Sequence, residues 1–123
     1  MMKTLIFLDD ERDFEDVAWV RYPEFDEVIV VRNDVDFLST LCTADDKAAC
    51  YISFDHDIAC HGKRVEDVFG VQQIVEGEIT GLYCCEVAIR EGFNPHQMFV
   101  HSRNPVGASN IRNAIESAKG GWK

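Results

Sequence analysis

The chain has 123 residues, 46% hydrophobic and 28% charged, with a formal net charge of −10. That length and composition fit a single folded domain spanning residues 1–123 and argue against a second domain or a disordered chain. The negative charge excludes a protein that wraps a long nucleic-acid tract, because such affinity rests on many Lys and Arg side chains neutralising phosphates. A short RNA end or a small nucleotide stays open, since either needs only one local anion site.

No apolar run reaches the length of a membrane span, and Met1 to Leu8 lacks the basic start and the cleavage site of a signal peptide. A cytoplasmic protein without a membrane partner is expected. Cys42, Cys50, Cys60, Cys84 and Cys85 form an odd set without a disulfide-scaffold spacing, as reduced thiols do. Cys60, His61 and His56 match no familiar zinc spacing, so buried thiols are the better reading.

Thr4-Leu-Ile-Phe-Leu8 is a continuous apolar run that stops at two aspartates, the mark of a strand buried on both faces and here of the central strand. Glu11 to Asp26 is acidic and broken by Pro23, which leaves room for one ragged helical turn. Glu27-Val-Ile-Val-Val31 is the second strand, after which Asn33 or Asp34 caps a short helix carrying Val35, Phe37, Leu38 and Leu41. Beyond a polar loop from Thr43 to Ala49, Cys50-Tyr-Ile-Ser-Phe54 makes a third strand ending in Asp55-His56-Asp57. Ala59 to Gly81 reads as a surface excursion, with Gly62, Lys63 and Arg64 in a loop and a short helical stretch over 65–75. Thr80 caps a helix running to about Glu91, with Gly92 as its stop. Gln97-Met-Phe-Val100 is the fourth strand and ends at His101-Ser102. Asn104-Pro105 then opens a last helix that carries Ile111 and Ile115 and stops at Gly120-Gly121.

Strands alternating with helices imply a parallel sheet with right-handed crossovers. The expected fold is an α/β three-layer sandwich, flavodoxin-like, with four to five strands in the order 2-1-3-4. In such a sheet the residues just past Leu8, Phe54 and Val100 emerge at one edge, where open α/β sheets place their ligands. With strands about 4.8 Å apart, Asp9 or Asp10 can share a divalent cation with Asp55, and Asp57 is a further candidate ligand. Acids crowded without a cation would repel one another, so a bound Mg²⁺ or Mn²⁺ is the simplest compensation. His101 and Ser102 reach the same edge, beside a helix N-terminus that favours a phosphate. Each piece has a plainer reading: Asp10 and Asp13 as helix-capping acids, Asp55-His56-Asp57 as a turn, the histidines, Ser102 and Asn104 as structural. The convergence of three strand ends favours a site.

Leu8-Asp9-Asp10-Glu11-Arg12, Ser53-Phe54-Asp55-His56-Asp57-Ile58 and Val100-His101-Ser102-Arg103-Asn104-Pro105-Val106-Gly107, in this order and spacing, resemble the cyclic-phosphate-processing receiver-like domains. The resemblance runs from residue 4 to about 115 and implies a receiver fold acting on cyclic phosphates, RNA ends included. An ordinary two-component receiver, similar at Asp9, Asp10 and Asp55, would add a fifth strand ending in a phosphate-contacting lysine. Here Lys119, in a helix, is the late candidate, and His56 and His101 are foreign to that pattern. The 59–79 stretch is longer than that loop usually is in the family.

The reading that follows is a metal-dependent phosphoesterase opening a 2′,3′-cyclic phosphate on an RNA end or a nucleotide. Asp9, Asp10, Asp55 and Asp57 would hold the cation, and His56 and His101, with Asp55, would carry the chemistry. Arg12, Ser102, Arg103 and Asn104 would hold the phosphate. On this reading His101→Ala removes turnover and leaves the fold intact. The rival is a module of the same fold that binds a cyclic nucleotide or a partner protein without chemistry.

Overall fold

Two physical demands shape the sheet: strands that are apolar on both sides need cover on both sides, and parallel strands need long connections. The computed structural model describes residues 2–56 and 80–122. Strands β1 (Thr4–Leu8), β2 (Glu27–Val31), β3 (Cys50–Phe54) and β4 (Met98–Val100) form one parallel sheet in the order β2-β1-β3-β4. The expected order and the internal position of β1 are those observed. Helices α1 (Asp34–Thr43), α2 (Gly81–Arg90) and α3 (Pro105–Lys119) complete the described elements, with short 3-10 turns at Phe14–Asp16, Lys47–Ala49 and Pro95–Gln97. The 59–79 excursion and Asp57 lie outside the described residues.

The strand period of two sorts the sheet residues cleanly. Ile6, Leu8, Val31, Ile52, Phe54 and Met98 face a core built with Phe37, Leu38 and Leu41 of α1, Cys84, Cys85, Val87 and Ala88 of α2, and Ile111 and Ile115 of α3. The alternate residues Leu5 and Phe7 face the other way, joined by Val28, Tyr51 and Phe99. They are covered by the irregular segment after β1, where Val17 is buried and Phe14, Val20, Tyr22 and Phe25 pack over them. The covering rings of Phe14, Tyr22 and Phe25 meet their neighbours edge-on or tilted, Phe7 on Phe14 at 5.9 Å and Tyr22 on Phe99 at 5.2 Å between centroids. Three layers are present, but the third is an aromatic mat containing a single 3-10 turn. Large rings cover short strands with few residues, so Pro23 and the acidic run cost little there.

Local signals explain the helix ends. Asn33 Oδ1 accepts from Asp36 N, and Asn104 Oδ1 accepts from Gly107 N with Pro105 in the first turn. Gly92, at φ 92°, follows α2 in the left-handed region that glycine tolerates. Cys50, Cys84 and Cys85 are buried free thiols, and burial, with Glu86 adding to it, pushes Cys85 up to about 12. These thiols pack as small apolar groups. No helix among the described residues is long and apolar enough to cross a membrane.

The start of α2 is pressed onto the end of β3. Gly81 N donates to His56 O at 2.9 Å, and a Cβ at Gly81 would stand 1.7 Å from the Asp55 carbonyl oxygen. Backbone cannot yield as a flexible side chain can. Gly81→Ala is therefore expected to lower the unfolding free energy by about 3 kcal/mol or more, the upper end of overpacking costs, as read by urea denaturation.

Candidate active site

The register places the site. Leu8 is level with Phe54, and Phe54 with Val100. The ladder then continues one residue further: Asp9 N donates to Val31 O at 3.1 Å, Asp55 N to Leu8 O at 3.0 Å and His101 N to Phe54 O at 3.0 Å. Asp9, Asp55 and His101 thus form one row across the C-terminal edge of the sheet. By strand alternation their side chains follow Phe7, Ser53 and Phe99 towards the aromatic layer.

Asp9 is fully buried, and four N–H groups surround it. Oδ1 accepts from the backbone N–H groups of Glu11 (2.9 Å) and Arg12 (2.8 Å), while Oδ2 meets Arg12 Nη1 at 3.2 Å and His101 Nε2 at 3.1 Å. Burial alone would raise its pKa. The hydrogen bonds from His101, Arg12 and Glu11 and the His101 charge outweigh that and bring it down to about 2. An ionised Asp9 can only accept, so His101 Nε2 carries a hydrogen.

His101 is equally buried. Its ring stacks on Phe7 at 4.3 Å, and Nδ1 lies 2.7 Å from Ser53 Oγ, which in turn lies 2.7 Å from Tyr22 Oη. The expected reach of this ring to a leaving oxygen is therefore not what the geometry provides: both nitrogens are engaged inside the protein. His101 acts on Asp9. Its replacement by Ala would leave a cavity and strip Asp9 and Ser53 of a partner, so the fold would not be left intact.

Asp55 is 5% exposed. Burial and the Asp9 charge push its pKa up, against the opposing pull of His101, Arg12 and a Ser102 hydrogen bond. Oxygens of Asp9, Asp10 and Asp55 all lie within 4.8 Å of one another, a spacing that fits a cation. Hard carboxylate oxygens suit Mg²⁺ or Mn²⁺. The lone pairs of Asp9 are already committed to four donors, so Asp10 and Asp55 are the residues with oxygens to offer. Arg12 Nη1, 4.0 Å from Asp55 Oδ2, supplies part of the neutralisation that crowding demands.

A cleft of about 460 Å³ opens over this edge, lined by Asp10, Glu11, Arg12, Asp55, Arg103, Asn104 and Pro105. Arg103 is exposed, and no carboxylate pairs with it among the described residues. Ser102 is buried, and its Oγ accepts from Asn104 N at 3.2 Å. His56, half-buried, lies against the first turn of α3, where a Cβ at Gly107 would fall 2.2 Å from its Cγ. Lys119 bonds Glu116 Oε2 at 2.7 Å on the last turn of α3 and does not line the cleft.

A family model for the cyclic-phosphate processing receiver domain matches residues 4–117. The chain belongs to that family. No curated protein and no solved structure matches it.

Within this receiver domain, several residues that build the site carry no motif signal. Arg32 Nη1 donates to the carbonyl oxygens of Arg12 (2.6 Å) and Asp9 (3.3 Å), and its Nη2 pairs with Asp13, so β2 pins the loop that carries the acids. Tyr22 and Ser53 extend the His101 chain. Trp19 Nε1 donates to His101 O at 2.9 Å. Of these, Ser53 is the exception, since it opens the Ser53-Phe54-Asp55-His56 motif.

The two central acids should respond oppositely to amidation. The lowered pKa of Asp9 stabilises the fold by about 2 kcal/mol above roughly pH 4, and this is lost as pH falls towards 2. The raised pKa of Asp55 has the reverse sign: its stabilisation is present at low pH and lost as pH rises. At pH 7 with chelator, Asp9→Asn is expected to cost about 3 kcal/mol by orphaning buried donors, and Asp55→Asn to leave the melting temperature unchanged or raise it. Differential scanning calorimetry of both variants checks the contrast.

Proposed function

We propose that this receiver domain is a divalent-cation-dependent phosphoesterase that opens a cyclic phosphate, the 2′,3′-cyclic phosphate of an RNA end or of a nucleotide. The observation that carries the reading is the sharing of one cleft by two kinds of group: the carboxylates of Asp10 and Asp55, and the Arg103 guanidinium, which pairs with no carboxylate among the described residues. Acids suited to a cation beside a cation suited to an anion form a place for a phosphate and its metal.

Asp10 and Asp55 would hold the ion, with Asp9 behind them as an anchor. Bound there, Mg²⁺ or Mn²⁺ would neutralise phosphoryl charge and make a water more acidic. Arg103 and Arg12 would orient the nonbridging oxygens, and Asn104 and Ser102 shape the loop that presents Arg103 to them. Opening the ring breaks one bond from phosphorus to ribose oxygen and forms one to the oxygen of water, so the departing alkoxide needs a proton. His56, half-buried against the first turn of α3, would be the ring to deliver it, and His101 would keep Asp9 and Arg12 in place from within.

Arg12 beside Asp9 and Asp55 favours a second reading, in which the acids are neutralised internally and the cleft binds a cyclic nucleotide unchanged. Turnover separates the two. Incubation with 2′,3′-cyclic mononucleotides and a short RNA ending in a cyclic phosphate, with and without Mg²⁺ or Mn²⁺, should release a linear monophosphate only with metal. Arg103→Ala should raise KM about tenfold or more, and His56→Ala should lower kcat on the order of 10² to 10⁴. Binding of the nucleotide with no product under any condition would leave the non-catalytic module standing.

A further inference from the structure

Trp19 lies against two arginines that line the cleft and has no role in the chemistry above. It is 44% exposed, an unusual state for an indole, yet it is firmly tied. Its Nε1–H donates to the carbonyl oxygen of His101 at 2.9 Å, which fixes the ring to the end of β4. Two guanidinium groups lie against the ring, Arg12 at 5.5 Å and Arg103 at 5.0 Å from its centroid. These arginines come from opposite ends of the chain, one after β1 and one after β4, and both line the cleft.

Their other contacts differ. Arg12 is held by Asp9 as well. Arg103 has Trp19 and no carboxylate among the described residues, so its long side chain would otherwise sample many rotamers. Guanidinium planes stack on indole faces, and such contacts restrain an arginine without using up its N–H donors. An acidic partner would restrain it too, but would consume those donors and cancel its charge. In a chain of net charge −10, an anion site depends on cations kept both fixed and unneutralised.

We propose that Trp19 is a positioning residue that holds Arg12 and Arg103 as a pair, so that a phosphate entering the cleft is met by two pre-set guanidinium groups. This rests on the reading of the cleft as a phosphate site. The aromatic ring acts through the arginines, so its loss weakens ground-state capture of the anion more than any bond-breaking step.

Calorimetric titration with inorganic phosphate tests the pair without calling on turnover. Trp19→Leu should weaken phosphate binding about tenfold, and Trp19→Phe, which keeps a ring but loses the bond to His101 O, should recover part of that loss. In an Arg103→Gln background Trp19→Leu should add clearly less loss than in the wild type, because most of its effect passes through Arg103, Arg12 being held by Asp9 as well. A purely structural tryptophan would instead lower the melting temperature and leave the affinity of the folded fraction unchanged in either background. Where Trp19→Leu fails to fold, Trp122→Phe leaves Trp19 as the sole indole, and its emission should change as phosphate is added. Equal affinity in wild type and Trp19→Leu, full additivity with Arg103→Gln, or unmoved Trp19 emission under saturating phosphate would overturn the proposal. Phosphate binding that depends on Trp19 in a protein with no esterase turnover would instead sink the esterase and keep the arginine pair.

Discussion

Asp9 is taken out of water at the end of an internal strand, and a buried carboxylate is tolerated only when donors replace its hydration. The donors come from separate places: two backbone N–H groups of the loop after β1, the Arg12 guanidinium, and the imidazole of His101 after β4. One charge therefore couples strands that are not neighbours, since β3 lies between β1 and β4. The loop bearing Asp10 and Arg12 can take no other path without breaking those bonds. Arg32 closes the same loop from the side of β2. The edge that carries the acids is thus organised from a point beneath it.

The unequal faces of the sheet serve this arrangement. Among the described residues three helices cover one face with aliphatic side chains and small thiols, which need no hydrogen-bond partners. The aromatic mat on the other face is apolar in its body, yet it carries a tyrosine hydroxyl and an indole N–H at its margin. Those two groups meet Ser53 Oγ and the His101 carbonyl oxygen. A helix in this layer would present its polar groups to itself. The irregular segment has side chains to spare for the sheet edge, and this is how Trp19 and Tyr22 come within reach of the site.

The row of Asp9, Asp55 and His101 is legible in the sequence because strand ends follow from apolar runs, and parallel strands align their ends. The same logic reads the Asn104-Pro105 cap and the Gly92 stop, where local chemistry decides. What stays hidden is depth. Period-two alternation places His101 on the side of Phe7 and Phe99, but whether that side is open depends on the Glu11 to Asp26 segment, whose path has no periodicity. Hence a histidine that reads as an acid or base at the strand end is a buried partner of Asp9, and nothing in the sequence singles out Trp19. The neutralising role of Arg12 is hidden for a similar reason, since a metal and a guanidinium answer the same crowding of acids. Gly107 is legible as part of a motif, while its reason, the His56 ring packed where a Cβ would be, needs three dimensions.

The electrostatics of the edge also bear on which chemistry Asp55 can perform. A carboxylate that is itself to be phosphorylated needs its charge available and a cation to steady the phosphoryl oxygens. Asp55 has the first condition working against it, because burial and the Asp9 charge both favour its protonated form. For the second, no lysine lines the cleft among the described residues, and Lys119 is spent on Glu116. Asp10 and Asp55 would hold a divalent cation, whose charge would reverse the first condition by favouring an ionised Asp55. On the proposed reading water would be the nucleophile, and the phosphate would leave with no bond to the chain. On that reading the acids that in a switch would store a phosphoryl group would instead promote its transfer to water.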